Sequence, residues 1–342
     1  MALANTSKSG SRVVVLGGGN GTSRLLSSLL PFYEEGKIAS LHALVHMADD
    51  GGSTGRLRDQ YAVGAMGDLT KCLMALSGLR GDVRGDEFLR ALEYRFDNGD
   101  FKGHTLRNAF LAALELTSDL DSAIATMARV LQVPKYTGVI PTTLTPLTQQ
   151  VTVKGEVVAE GEHFIAHNVD LQNGGGTAPS DVKVVFKEKE VVLNPRAQEA
   201  LSDATHVLVA PGHTYGSILP ALASLSVNGA SPLFSAKVGV VMTLLTTPHQ
   251  TTGWSGEDFV EVYESYLGRK VDFVVANEGK VDASLVEGQD WVLFDEKDHP
   301  YTLLKKPVVR LETAPVVKSD TVPRAIVVHD EEVMRDVLKE LL

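Results

Sequence analysis

Cysteine is almost missing from this chain. Cys72 is the only one in 342 residues, so no disulfide can close within it, which fits a reducing compartment. Cys72 sits in the apolar stretch Leu69–Leu76 and reads as an inert buried thiol. Long apolar runs are missing as well. The longest, such as Val13–Leu16, are strand-sized and far from the roughly 18–20 residues that span a bilayer, so no membrane insertion is expected. Residues 1–11 hold no apolar block of the roughly 7–15 residues a signal peptide needs. They read as a disordered lead-in, and the expected location is the cytoplasm. Positive charge is in deficit: 32 Lys and Arg against 43 Asp and Glu give a net charge of −11. A nucleic-acid surface needs clustered cations, so none is expected. A small anion can still be held by backbone N–H groups whatever the overall charge. Neither metal-ligand spacing of Cys and His nor a GxSxG elbow occurs, and His163, His167, His206 and His249 are scattered without an assigned role.

What is present is a regular alternation. Arg12–Leu16 is β-branched and apolar, Gly17–Gly21 is a glycine turn, and Thr22–Leu30 has helical spacing. Ser40–Ala48 reads as a second strand, followed by helices over Gly67–Leu76, Asp86–Phe96, His104–Thr117 and Leu120–Leu131. From about 136 to 193 the texture changes to Thr, Val and Gly with period-two runs, which predicts a β-rich insertion hinged near Pro134 and Pro195. Within it, the loop 172–180 carries Gly174-Gly175-Gly176. The α/β pattern then resumes with a strand over Thr205–Ala210, buried strands over Lys237–Leu245 and Val271–Asn277, and a closing helix over Glu331–Leu342. The expected fold is α/β, Rossmann-like, with a mostly parallel doubly wound sheet in one domain over 12–342 interrupted by that insertion.

Several segments carry chemistry. Gly17-Gly18-Gly19-Asn20-Gly21-Thr22-Ser23 joins a strand to a helix, where unpaired N–H groups and the helix dipole suit phosphate. It lacks the Gly-Lys-Ser/Thr ending of a Walker A loop and is not a full GxGxxG fingerprint; the bland alternative is a tight turn with no ligand. The next strand ends in Asp49-Asp50-Gly51-Gly52-Ser53, with Arg56 and Arg58 following. Paired carboxylates there could hold a hydroxyl pair, a base edge or hydrated Mg²⁺, and Arg56 or Arg58 could pair with phosphate. Gly67-Asp68 opens a helix, with Asp68 either a cap or a third member of an acidic cluster and Lys71 one turn inside. His104 and Asn108 share a helix face. Pro211-Gly212-His213-Thr214-Tyr215-Gly216-Ser217 is a second strand-to-helix turn, hence a second candidate anion or sugar site. An NAD-type site would want an acidic residue about 20 positions after the glycine turn, and Asp49 falls later than that.

Taken together, Gly17–Ser23, His46–Arg58, Gly67–Gly78, Phe101–Glu115 and Leu193–Pro220 closely resemble the bacterial gluconeogenesis-factor family, which shares a superfamily with the CofD-like 2-phospho-L-lactate transferases. The resemblance runs from about Arg12 to Asn277. It implies a Rossmann-like fold that binds a UDP-sugar such as UDP-N-acetylglucosamine and regulates carbon metabolism, envelope synthesis and cell shape. The transferase branch instead moves a phospholactyl group from a nucleoside diphosphate carrier with Mg²⁺, and in that case Asp49, Asp50 and Asp68 would hold the metal. The family's motifs carry ligand contacts onto Gly18, Gly19, Asn20, Gly21, Asp49, Asp50, Gly67, Asp68, Gly212 and Tyr215. Position in the same loops adds Thr22, Gly51, Gly52, Ser53, Arg56, Lys71, His104, Asn108 and Ser217. Lys71, His213 and His249 depart from the family's usual residues. The implied partner is a small nucleotide or nucleotide-sugar together with an unidentified regulated protein, and a homo-oligomer is compatible with the sequence.

Overall fold

The computed structural model describes residues 10–171, 178–225, 235–286, 288–313 and 325–342. Most of the expected lead-in and the Gly174–Gly176 run lie outside the described residues. The chain opens with β1 (Ser11–Gly17), α1 (Asn20–Glu34) and β2 (Ile38–Val45). A helical block follows: α2 (Gly52–Tyr61), α3 (Met66–Ala75), α4 (Val83–Glu93), α5 (Leu106–Leu116) and α6 (Leu120–Val130). Next come β3 (Thr137–Pro141), β4 (Gln149–Val153), β5 (Glu156–Glu160), α7 (Glu162–Asn168) and β6 (Val182–Phe186). The second half holds α8 (Pro195–Asp203), β7 (His206–Val209), a π-helical turn (Thr214–Ile218), α9 (Leu219–Leu225), β8 (Lys237–Val241), α10 (Gly256–Leu267) and β9 (Phe273–Asn277). It closes with β10 (Thr302–Lys306), β11 (Val309–Thr313), β12 (Ala325–His329) and α11 (Glu331–Lys339).

Seven strands form one sheet in the order β10-β9-β8-β7-β1-β2-β3, and every pairing in it is parallel. Parallel strands need crossovers, so helices cover both faces and the strands read as continuous apolar runs. β1 shows the consequence. Val13 and Val15 enter the core under α1, α3 and α11, whereas Val14 and Leu16 enter the core under α8, α9 and α10. The chain adds β2 and β3 on one side of β1 and then returns to place β7 on the other. The strand order therefore reverses at the β1–β7 boundary, and the crevice beyond the carboxyl ends of those strands is where such sheets bind ligands.

Three segments differ from the sequence expectation. Thr137–Pro141 is not part of the antiparallel material; it pairs in parallel with β2 as the edge of the main sheet. The antiparallel sheet is the smaller unit β5-β4-β6, and it carries α7, which period-two reading concealed. The segment after Asp49-Asp50, where no helix was expected, is helical: α2 begins at Gly52, directly behind the two aspartates. A two-stranded β11-β12 hairpin near the C-terminus completes the described sheets. Among the described residues, no helix is long and apolar enough to cross a membrane.

Candidate functional site

Loops leaving β1, β2 and β7 enclose a cavity of about 400 Å³ at the point where strand order reverses. Its walls include Gly18–Gly21, Asp49, Gly51–Thr54, Gly67, Asp68, Lys71, Asn108, Gly212 and Ser217. These come from motifs far apart in sequence, brought together because each lies at the carboxyl end of a parallel strand or the start of a helix. Four helices, α1, α2, α3 and α5, present their first residues to this cavity, and in none does the N-cap residue's own side chain cap the helix, although Thr54 Oγ1 accepts the Gly67 N–H of α3 and the Tyr94 carbonyl accepts the Leu106 N–H of α5. The dipole ends of all four helices and the leading N–H groups of α1 and α2 are therefore available to an anion.

The glycines of the first turn have a more specific cause than general flexibility. A Cβ on Gly19 would stand 2.2 Å from Asp68 Oδ1, and one on Gly21 would stand 1.7 Å from the Pro211 carbonyl oxygen. The absence of a side chain at Gly19 lets Asp68 and Lys71 lie against the glycine turn. The close approach at Gly21 locks the turn after β1 to the turn after β7.

Asp49 faces the cavity, accepting from the Gly51 N–H at 3.0 Å and from the Thr54 hydroxyl. Burial and the neighbouring Asp68 raise its pKa to about 6. Arg58 fixes it from behind, donating to the Asp49 carbonyl at 2.8 Å and to Leu147 O at 3.0 Å. Asp68 lies between Lys71 Nζ at 3.5 Å and His46 Nε2 at 3.7 Å. His46 is fully buried, and its Nδ1 accepts the Ala48 N–H at 3.2 Å. The proton of the neutral ring is then on Nε2, aimed at Asp68; burial lowers its pKa. Behind the wall runs a hydrogen-bonded chain. Asn108 donates to Ser53 Oγ, Thr70 donates to Asn108 Oδ1 at 2.9 Å, and Gly67 N–H donates to Thr54 Oγ1 at 3.1 Å.

Five expected residues lie elsewhere. Asp50 turns out of the cavity, and its carboxylate accepts the N–H groups of Glu162 at 3.2 Å and His163 at 2.8 Å, capping α7. The expected three-carboxylate group is thus not assembled, and among the described residues no set of three or more His, Cys, Asp or Glu side chains is arranged to hold a metal. Asp49 and Asp68 remain as two carboxylates on one cavity. That matches Mg²⁺, which takes one or two protein carboxylates and completes its shell with phosphate and water. Thr22 packs its hydroxyl beneath Gly17 instead of into the cavity. Arg56 is exposed and lies over Gly103. His104 is buried one step behind the wall, 3.0 Å from Ser53 Oγ. Tyr215 is a core residue, edge-on to Trp254, with its carbonyl accepting from Gln149 at 2.6 Å.

Other lining residues had no role assigned from sequence: Arg95, Arg107, Glu162, His163 and His167. Arg107 lay inside a motif already singled out, so a cation one position before Asn108 was a usable signal. Glu162 and the two histidines arrive on α7, the helix that strand-like texture hid. Glu162 lies opposite Gly51 and Gly216, and burial with Asp49, Asp68 and Asp50 nearby raises its pKa to about 9. On the same wall, His213 Nδ1 accepts the Gly216 N–H at 2.8 Å while its Nε2 is buried without a partner; burial lowers its pKa to about 4, so the ring is neutral.

With this geometry in place, likeness to known proteins becomes informative. The profile of the family described as 2-phospho-L-lactate transferase CofD matches residues 13–322. A putative gluconeogenesis factor of Thermotoga maritima is 30% identical over 86% of this chain and 90% of its own length. The gluconeogenesis factor of Listeria monocytogenes is 30% identical over 82% of this chain and 81% of its own. Some relatives are longer: the chain spans 58% of the Clostridium acetobutylicum protein and 55% of the Deinococcus radiodurans one. In fold, the chain matches the crystal structure of a UPF0052-family protein from Bacillus halodurans with a TM-score of 0.78 at 24% identity, covering 97% of this chain and 99% of that one.

Proposed function

Because this chain belongs to the CofD family, among relatives named gluconeogenesis factors, we propose that it binds a nucleotide-sugar of the UDP-N-acetylglucosamine kind. In this reading it acts as a binding regulator of carbon metabolism, envelope synthesis and cell shape. One observation carries the reading: the uncapped N-termini of α1 and α2 meet the starts of α3 and α5 at one cavity that also holds Lys71 and Arg107. Uncapped helix ends and fixed cations favour a diphosphate. Asp49 and Glu162 supply acceptors for the hydroxyl groups it carries.

A second reading is supported by the Asp49–Asp68 pair: a transferase that moves a phospholactyl-type group from a nucleoside diphosphate carrier. Mg²⁺ held by those two carboxylates and the ligand's phosphates would neutralise charge as the nucleotide leaves. Calorimetry with UDP-N-acetylglucosamine, GDP and NAD, each with and without Mg²⁺, separates the readings. Binding of the UDP-sugar without turnover supports the regulator, and GDP binding only with Mg²⁺ supports the transferase. Failure of the uridine nucleotides to bind under either condition removes the first reading.

A further inference from the structure

We propose that Glu162 reads the hydroxyl-bearing group attached to the diphosphate, accepting hydrogen bonds from it and making the site prefer a sugar-linked nucleotide to the bare one. This rests on the nucleotide-sugar reading above and adds which residue recognises the sugar. The side chain is delivered with unusual care. Gly161 adopts φ +90°, a conformation suited to glycine, and the next two N–H groups are both tied to the Asp50 carboxylate. The start of α7 is thereby fixed to the loop that carries Asp49. Glycine clears the space on one side of the carboxyl, where a Cβ on Gly216 would stand 2.6 Å from Glu162 Oε1, and Gly51 flanks the other oxygen at van der Waals range.

Despite this positioning, no donor among the described residues bonds to the Glu162 carboxyl. A half-buried carboxyl without a donor costs stability unless something else supplies one. Its charged surroundings are Asp49, Asp50, Asp68 and Lys71, with His163 and His167 on its own helix and His213 across Gly216. The balance is negative, so phosphate is repelled from this wall and held at the helix ends and cations instead. A hydroxyl is the complementary group because it donates to a carboxyl whether that carboxyl is charged or neutral. Two carboxyl oxygens also match a pair of neighbouring hydroxyls on a sugar ring.

The test is calorimetric titration of wild type, Glu162→Ala and Glu162→Gln with UDP-N-acetylglucosamine and with UDP. Wild type is expected to bind the sugar nucleotide more tightly than UDP. Glu162→Ala should weaken the sugar nucleotide about tenfold or more while changing UDP by less than about twofold. Glu162→Gln keeps one acceptor and the same shape, so it should lose about threefold for the sugar nucleotide only; it also carries the test if the alanine variant folds poorly. Equal losses for both ligands, or none for either, would overturn the proposal. So would a wild type that prefers UDP, and in that case the nucleotide reading still stands. A wild type that binds neither ligand overturns the functional reading itself, and this inference with it.

Discussion

The two sides of the cavity are built on different terms. The side formed by β1, β2 and α3 is crowded, with its charged groups set beside one another, although the buried His46 Nε2 lacks a hydrogen bond. Gly19 touches Asp68, Gly21 touches the Pro211 backbone, and Asp68 has both Lys71 and His46 beside it. The side formed by α7 and the turn after β7 carries unmatched groups, the Glu162 carboxyl and the buried His213 Nε2. The first kind of surface suits a phosphate, which every nucleotide shares and which fixed N–H groups hold. The second suits whatever differs between ligands, because unmatched polar groups discriminate strongly by what they lack. On the proposed reading, common recognition would reside beside β1, β2 and α3 and selective recognition beside α7 and the turn after β7.

Substitutions can break this division, and Gly21→Ala should break it most severely. Its new Cβ meets a backbone oxygen at 1.7 Å, where neither side can yield, so about 3 kcal/mol or more of stability should be lost, read as a fall in the denaturation midpoint. Asp49→Asn comes next and acts through pH. The folded-state pKa of about 6 lies above the ordinary 3.8, so the folded state favours the protonated form. That advantage is complete below about 3.8 and is lost as pH rises through about 6. Wild type should therefore lose on the order of 1–3 kcal/mol across that window relative to Asp49→Asn, whose melts should lack the slope. Asp50→Ala should cost about 1 kcal/mol by uncapping α7, and it should weaken the sugar nucleotide more than UDP because it frees the helix that carries Glu162. Loss of affinity for both ligands alike would count against the division. Arg56→Ala is expected to do least: the side chain is exposed and outside the cavity, so affinity should stay within about twofold by the same titration.

The parallel sheet could be read in the sequence because period and punctuation agree there. Val13–Leu16 before a glycine run and Lys237–Val241 without polar interruption allow few alternatives. That the glycine turn, Asp49, Gly67, Asp68 and Lys71 line one cavity was legible for the same reason, since strand ends in such a fold must face one crevice. The rest depends on contacts that sequence does not order. Asp49 and Asp50 are neighbours of the same type, yet one faces the cavity and the other caps a helix more than a hundred positions away. Tyr215 sits in a glycine turn that looks exposed, and only the packing against Trp254 explains its burial. α7 was hidden because its seven residues follow two β-strands and show no full helical period.

The contact between Gly21 and Pro211 also bears on how the molecule is assembled. β1 emerges early yet finishes as an inner strand, with Val13 paired to Ile38-bearing β2 on one edge and to His206 on the other. The glycine turn therefore gains its second support only after the latter half of the chain has docked, a closure over a long sequence separation that slows folding. A fragment ending after β6 would contain every early motif and still lack a finished turn. Binding competence should thus appear late in folding, and abruptly, as β7 adds to β1.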